Sequence, residues 1–298
     1  MRRHILILLC ITLVTSACQL TLHRRPLEDP SSQEATPDAQ VAGTAALAPD
    51  SAGRIEDQIR EIIDRSAGHY GVYAHLLGTD FEVAIEADRA FFAASCYKIP
   101  LVLYLYERAL DGEIDLGEML LYTEDDVSPG AGILKDEPPG SRHQLSYLAS
   151  LAIIHSDNTA AHMLLRRLGH HAFKQYQADL GATSVPADRN LASPRDVGRF
   201  LMRLMELNDN HPGLFGDILE WMKEALPRDR IPAGLPDHVQ VANKTGTWPG
   251  TFNDAALIFS GDSITILVVM SEEVPSYGDG MATIAKIAES LYSELHGN

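Results

Sequence analysis

In Phe91-Phe92-Ala93-Ala94-Ser95-Cys96-Tyr97-Lys98 two aromatic residues lead into a serine, and an apolar helical pattern carries on through Ile99, Leu103 and Tyr106. A serine at a helix N-terminus meets unpaired backbone N–H groups and the positive end of the helix dipole. Its own N–H can then donate to the oxyanion that forms when Ser95 attacks a carbonyl. Three residues make nearly one helical turn, which puts Lys98 on the face of Ser95. Apolar surroundings desolvate that amine, and a neutral Lys can take the serine proton. Taken alone, Ser-x-x-Lys occurs about once in any chain of this length, commonly as an N-cap with a surface Lys.

Two rarer tripeptides sharpen the pattern. Ser156-Asp157-Asn158 lies between helical segments ending at His155 and beginning at Thr159. A hinge there projects Ser156 and Asn158 into a cleft, while Asp157 caps the following helix. Ser156 is expected to relay a proton to a leaving nitrogen, and Asn158 to hold a substrate amide. Lys244-Thr245-Gly246 is expected to end a strand, with Thr247 next. Lys244 and Thr245 suit a substrate carboxylate, and Gly246 admits close backbone approach. The N–H of Thr247 supplies a second oxyanion donor.

Around these motifs residues 54–298 read as one α+β catalytic domain. Ile55, Ile59, Ile62 and Ile63 form a helical stripe, and Tyr70–Leu77 with Phe81–Ile85 read as a hairpin. Helices are predicted near 96–110, 145–155, 159–168, 194–207, 213–224 and 279–296. Ser193-Pro194 marks the start of the fourth. Val239–Asn243, Asp254–Phe259 and Ser263–Val269 read as successive strands. The expected architecture is an antiparallel β-sheet flanked by the terminal helices, with an all-helical subdomain between.

The N-terminal segment has a different character. Arg2 and Arg3, the apolar run Ile5–Val14 and the small residues Thr15-Ser16-Ala17 read as a signal peptide over residues 1–17. That run is shorter than the roughly 20 residues a spanning helix needs. Cys18 resembles the lipidated cysteine of bacterial lipoproteins, and acyl chains there would anchor the chain to a membrane. Residues 18–53, rich in Ala, Pro, Ser, Asp and Thr, read as a disordered linker. An exported protein facing the periplasm or the cell exterior is expected. Cys96 is the one cysteine left in the domain, which leaves no partner for an intrachain disulfide.

The formal net charge of -17 argues against sequence-independent nucleic-acid binding. His162, His170 and His171 lack a carboxylate or thiol to complete a metal set and read as surface residues. No metal or cofactor is expected, and the protein is expected to be a monomer. Cys96 reads as a packing residue, and Trp248 either lines the cleft mouth or packs ordinarily.

Together and in this order, the three motifs resemble the signature set of class A β-lactamases and penicillin-binding proteins. The likeness covers about residues 54–298 and extends to Gly112-Glu113-Ile114-Asp115-Leu116, Pro129-Gly130-Ala131-Gly132, Ala233-Gly234-Leu235-Pro236 and Thr251-Phe252-Asn253-Asp254. A Tyr-x-Asn middle motif would point to class C enzymes and esterases, and Ser-x-Val to class D. The resemblance implies a serine hydrolase that opens β-lactam amides through an acyl-Ser95 intermediate. It also leaves open a D-Ala-D-Ala peptidase or a slowly deacylating penicillin-binding protein or sensor.

One spacing departs from the family. Ser156 to Lys244 is 244 − 156 = 88 positions, shorter by more than a dozen residues than the resemblance implies. The missing stretch belongs to the Ω-loop, whose Glu activates the water that releases the acyl group. No Glu occurs between Ser156 and Glu206. Asp188, in Asp188-Arg189-Asn190-Leu191, is the candidate substitute for that deacylation base. Its shorter side chain falls about 1 Å short, a misplacement that can cost ~100-fold in rate. The plain alternative is a loop carboxylate paired with Arg189.

Overall fold

A computed structural model describes residues 51–297. The signal-peptide reading, Cys18 and nearly all of the linker reading lie outside the described residues. The elements in chain order are α1 (Ser51–Asp64), β1 (His69–Leu76), β2 (Glu82–Ile85), β3 (Phe91–Phe92), α2 (Lys98–Leu110) and β4 (Met119–Leu121). There follow β5 (Arg142–Gln144), α3 (Leu145–Ile154), α4 (Asn158–Leu168), α5 (His170–Asp179), β6 (Leu191–Ala192) and α6 (Pro194–Asn210). The chain closes with α7 (Pro212–Glu224), β7 (Gln240–Trp248), β8 (Thr251–Ser260), β9 (Ser263–Glu272) and α8 (Tyr277–His296).

Five strands form one antiparallel sheet in the order β2-β1-β9-β8-β7, with β7 at an edge. Strand periodicity divides its side chains between two cores. Ala255, Leu257, Ile266 and Val268 face the helical subdomain, where they join residues of α2, α3, α4, α6 and α7. Ala256, Ile258, Leu267 and Val269 face the other way and pack with Ile55 and Ile59 of α1 and Ile284, Ile287 and Leu291 of α8. Burying an aliphatic side chain of this size contributes roughly 2 kcal/mol, so both faces are strongly specified. A one-residue slip of register would exchange the two cores.

Local chemistry explains most element boundaries. Ser193 caps α6, its Oγ accepting from the N–H of Asp196 at 3.1 Å while Asp196 accepts in return from the N–H of Ser193 at 3.1 Å. Pro194 fills the first helical position. The two-residue turn Gly261-Asp262 joins β8 to β9 in the register Ser260↔Ser263.

Three differences from the sequence reading stand out. Helix α1 begins at Ser51, inside the stretch read as linker. Strand β7 continues through Lys244-Thr245-Gly246 to Trp248 instead of ending there, because all nine of its residues pair with β8. Helix α5 has only Phe173 and Gln177 buried, too thin an apolar stripe to register as a pattern.

Candidate active site

Ser95 sits in a short 3-10 turn, Ala94–Tyr97, that leads into α2 at Lys98. The turn is held in a strained shape, with Ala94 at φ +48°. Several contacts over-determine it. Asn253 on β8 donates its Nδ2 to the carbonyls of Phe92 (2.9 Å) and Ala93 (3.2 Å). Asn190 donates to the carbonyl of Ala94 at 2.9 Å, and its own carbonyl accepts from Ala93 N–H at 2.9 Å. Gly246 closes the turn against β7: a Cβ there would lie 2.8 Å from Ala93 O and 3.2 Å from Cys96 Sγ. Cys96 is buried in this contact, and burial pushes its thiol pKa up to about 12. It packs as an apolar residue.

Lys98 is fully buried and its Nζ lies 3.2 Å from Ser95 Oγ. The same nitrogen donates to Ser156 O at 2.5 Å and to Asn158 Oδ1 at 2.7 Å. A neutral amine has two N–H donors and one lone pair. Two carbonyl acceptors therefore use both donors, and the lone pair is left for the Ser95 hydroxyl. Burial, and next the charge of Lys244, hold the Lys98 pKa well below its ordinary value. Asp157 and Cys96 oppose that shift.

Ser156 occupies the hinge between α3 and α4 in a left-handed conformation, φ +51°. Its Oγ is 3.4 Å from Lys98 Nζ and accepts from Lys244 Nζ at 2.9 Å. Asp157 is buried and structural. One carboxylate oxygen accepts from Ala160 N–H at 2.8 Å, capping α4, and the other takes Ile133 N–H (2.7 Å) and Leu134 N–H (2.8 Å). That grip needs Gly132, at φ +117°, since a Cβ there would lie 2.4 Å from the carboxylate. Asn158 bridges: besides Lys98, it donates to Pro129 O at 2.7 Å. Its amide is committed to these two partners.

Lys244 is fully buried, donates also to Thr245 O at 3.1 Å, and burial lowers its pKa to about 8. Thr245 is buried, whereas Thr247 and Trp248 are exposed at the end of the strand. Sequence reasoning missed the side chain behind this strand. Arg230 is fully buried and donates to Gly246 O at 2.9 Å, to Asn253 O and to Thr247 Oγ1. Asp254 faces it. Burial raises the Asp254 pKa, while Arg230 and a bond from Asn243 Nδ2 (3.0 Å) act against the rise. Nothing local marks Arg230, because its partners, the carbonyls of Gly246 and Asn253 and the Thr247 hydroxyl, are brought there by the sheet.

Asp188 stands apart from this cluster. Its side chain is 82% exposed, and its closest cation is Arg189 Nε at 3.9 Å. It lines the mouth of a cavity of about 270 Å³ with Tyr97, Leu165, Phe173, Lys174 and Asn190. Through Tyr97 and Asn190 that cavity adjoins the Ser95 turn.

The beta-lactamase enzyme family matches residues 54–295. The beta-lactamase of Streptomyces albus G is 30% identical over 271 residues, covering 80% of this chain and 86% of that protein. That of Mycobacterium tuberculosis H37Rv is 29% identical over 259 residues, covering 79% and 83%. Among solved structures, the last common ancestor of Gram-negative bacteria beta-lactamase class A superposes with a TM-score of 0.72 at 26% identity, covering 81% of this chain and 99% of that one. PBP-A gives a TM-score of 0.76 at 24% identity over 80% and 95% of the two chains, a likeness of fold.

Proposed function

The chain belongs to the beta-lactamase enzyme family, and from that premise we propose that it opens β-lactam amides through an acyl-Ser95 intermediate. The observation that carries this reading is the buried Lys98 Nζ standing 3.2 Å from Ser95 Oγ. Lys98 takes the hydroxyl proton as Oγ bonds to the lactam carbonyl carbon. The N–H groups of Ser95 and Thr247 receive the developing oxyanion. The carbon–nitrogen bond then breaks, and the ring nitrogen takes a proton from Ser156 Oγ, which Lys98 replenishes. Lys244 and Thr245 hold the substrate carboxylate, with Gly246 keeping β7 against the nucleophile turn. Asn158 turns its amide to the acyl amide of the substrate. Hydrolysis of nitrocefin by purified protein, with a Ser95 adduct seen by intact mass, tests the reading. Absence of both turnover and adduct would sink it.

A second reading rests on the loop at Asp188. No Glu stands between Ser156 and Glu206, and the Asp188 carboxylate is exposed beside Arg189. Acylation is then complete but release is slow, as in a D-Ala-D-Ala peptidase or a penicillin-binding sensor. In the first reading, Asp188 serves as the water-activating base on turning from Arg189 into the adjoining cavity. A burst of one equivalent of nitrocefin followed by negligible turnover, with release of D-Ala from a cell-wall peptide, would favour this reading over the first.

The N-terminal sequence supports a further part of the proposal. Arg2, Arg3, the run Ile5–Val14 and Cys18 suit an exported lipoprotein, held at the membrane by a lipid on Cys18 and facing the periplasm or cell exterior. The enzyme acts there as a monomer on a small β-lactam. Among the described residues, no helix is long and apolar enough to cross a membrane. Cys18→Ser should shift the protein from the membrane to the soluble fraction; unchanged partition would refute the anchor. Sedimentation gives the mass of the detergent-free domain, and a dimer would refute the monomer.

A further inference from the structure

The cavity of about 270 Å³ beside Asp188 is walled by Tyr97 of the nucleophile turn, Leu165 of α4 and Phe173 of α5. Space of this size holds several waters, and each water needs two to four polar partners. Apolar walls offer none, so an apolar body fills the space better than water does. Pockets for small molecules have this composition, with a few polar groups placed to fix orientation.

Lys174 supplies such a group. It is half-buried on α5, and its Nζ donates to Arg189 O at 3.0 Å. An ammonium has three N–H donors, so two are left over. Among the described residues Lys174 makes no ion pair. Burial holds its pKa below the ordinary value, and Asp188 opposes that shift without cancelling it. A cation stripped of water in this way gains from an anion brought to it. Asp188 is turned to Arg189, and Lys174, Arg189 and Asp188 together leave one positive charge around the cavity of a chain whose formal charge is -17.

We propose that this cavity is a second ligand site, taking a small organic monocarboxylate with a flat aromatic body, and that its occupancy delays release of the acyl group from Ser95. The aromatic body lies against Tyr97 and Phe173, and the carboxylate accepts from Lys174. The site touches the nucleophile turn at two points. Lys98 Nζ lies 5.8 Å from the centre of the Tyr97 ring, and Asn190, also in the lining, bonds to Ala93 and Ala94. A ligand there also fills the space into which Asp188 must turn to activate water. The delay rests on the acyl-Ser95 reading above, whereas the binding does not.

Titration calorimetry with 2-naphthoate on the purified protein tests the site. Lys174→Met should weaken binding roughly tenfold or more, and the uncharged 2-naphthamide should bind the wild type as poorly. Asp188→Asn removes the opposing charge and should tighten binding a few-fold. Lys244→Met should leave it unchanged. Binding lost in Lys244→Met but kept in Lys174→Met would put the probe in the substrate cleft and overturn the site, as would no binding at millimolar probe. With 2-naphthoate bound, the penicilloyl adduct should live several times longer by intact mass, and Lys174→Met should abolish that effect. An equal lifetime with and without the probe would overturn the link to release. Binding that follows Lys174 in a protein that penicillin never acylates would support the site and refute the acyl-Ser95 reading.

Discussion

Lys98 and Lys244 reach the same hydroxyl from opposite sides, with their Nζ atoms 3.4 Å and 2.9 Å from Ser156 Oγ. Two buried ammonium groups sharing one neighbour cannot both stay charged cheaply. In the proposed mechanism it is Lys98, beside the nucleophile, that gives up its proton. Lys98 has two carbonyl acceptors and the nucleophile, whereas Lys244 faces the side where a substrate carboxylate would sit. In the proposed mechanism the pair forms a neutral base and a cationic anchor around a shared proton relay.

Replacing Lys98 with Met separates catalysis from stability. Loss of a well-placed proton acceptor should slow acylation of Ser95 by roughly 1,000-fold, measured by intact mass after timed exposure to benzylpenicillin. A buried amine exchanged for an apolar side chain of similar length is about neutral for folding, so the melting temperature should hold or rise. Acylation at the wild-type rate would remove Lys98 from the mechanism.

Lys244 sets an alkaline limit. With its pKa lowered to about 8, it is charged below that pH and neutral above it. Affinity for a carboxylate-bearing substrate should therefore fall as pH rises through about 8. Lys244→Arg keeps the charge, since guanidinium does not titrate in this range. The alkaline limb of kcat/KM should disappear in that variant, and its persistence would assign the limb to another group.

Gly246→Ala probes the contact between β7 and the nucleophile turn. The added Cβ would lie 2.8 Å from Ala93 O and 3.1 Å from Ala94 Cβ, so the strand must move away. The expected cost is roughly 2 kcal/mol of stability, visible as a lower melting temperature. Displacing the oxyanion donors by even a fraction of an ångström should also slow acylation by about 100-fold. Unchanged kinetics would mean the turn tolerates the shift.

Asp188→Asn bears on release of the acyl group. A well-placed base contributes roughly 100-fold or more. An exposed carboxylate that must first leave Arg189 should contribute less, so the penicilloyl adduct is expected to live about tenfold longer in the variant, with acylation untouched. An unaltered lifetime would place the base elsewhere.

How much of this was legible beforehand follows from the range of each interaction. The terminal helices, the hairpin of β1 and β2 and the three strands of the C-terminal half were readable, since apolar periodicity and turn residues act over a few positions. Helix α5, with only Phe173 and Gln177 buried, fell below that signal. Asp157 was correctly read as a cap, yet its second oxygen, pinning Ile133 and Leu134, was hidden because those partners lie more than 20 positions away.

By itself the sequence determined the family, the fold class and the candidate residues Ser95, Lys98, Ser156, Asn158 and Lys244, because chemistry of this kind needs particular side chains at particular local spacings. Only the tertiary structure decided what state those side chains are in. Lys98 Nζ is held 3.2 Å from Ser95 Oγ because Ser156 O and Asn158 Oδ1 accept from it on its other sides. Arg230 is buried behind β7 because Gly246 and Asn253 present their carbonyls there. Asp188 faces solvent and Arg189, although its place in the sequence suited a base. Protonation, burial and aim depend on groups far apart in the chain, and only folding brings them within hydrogen-bond reach.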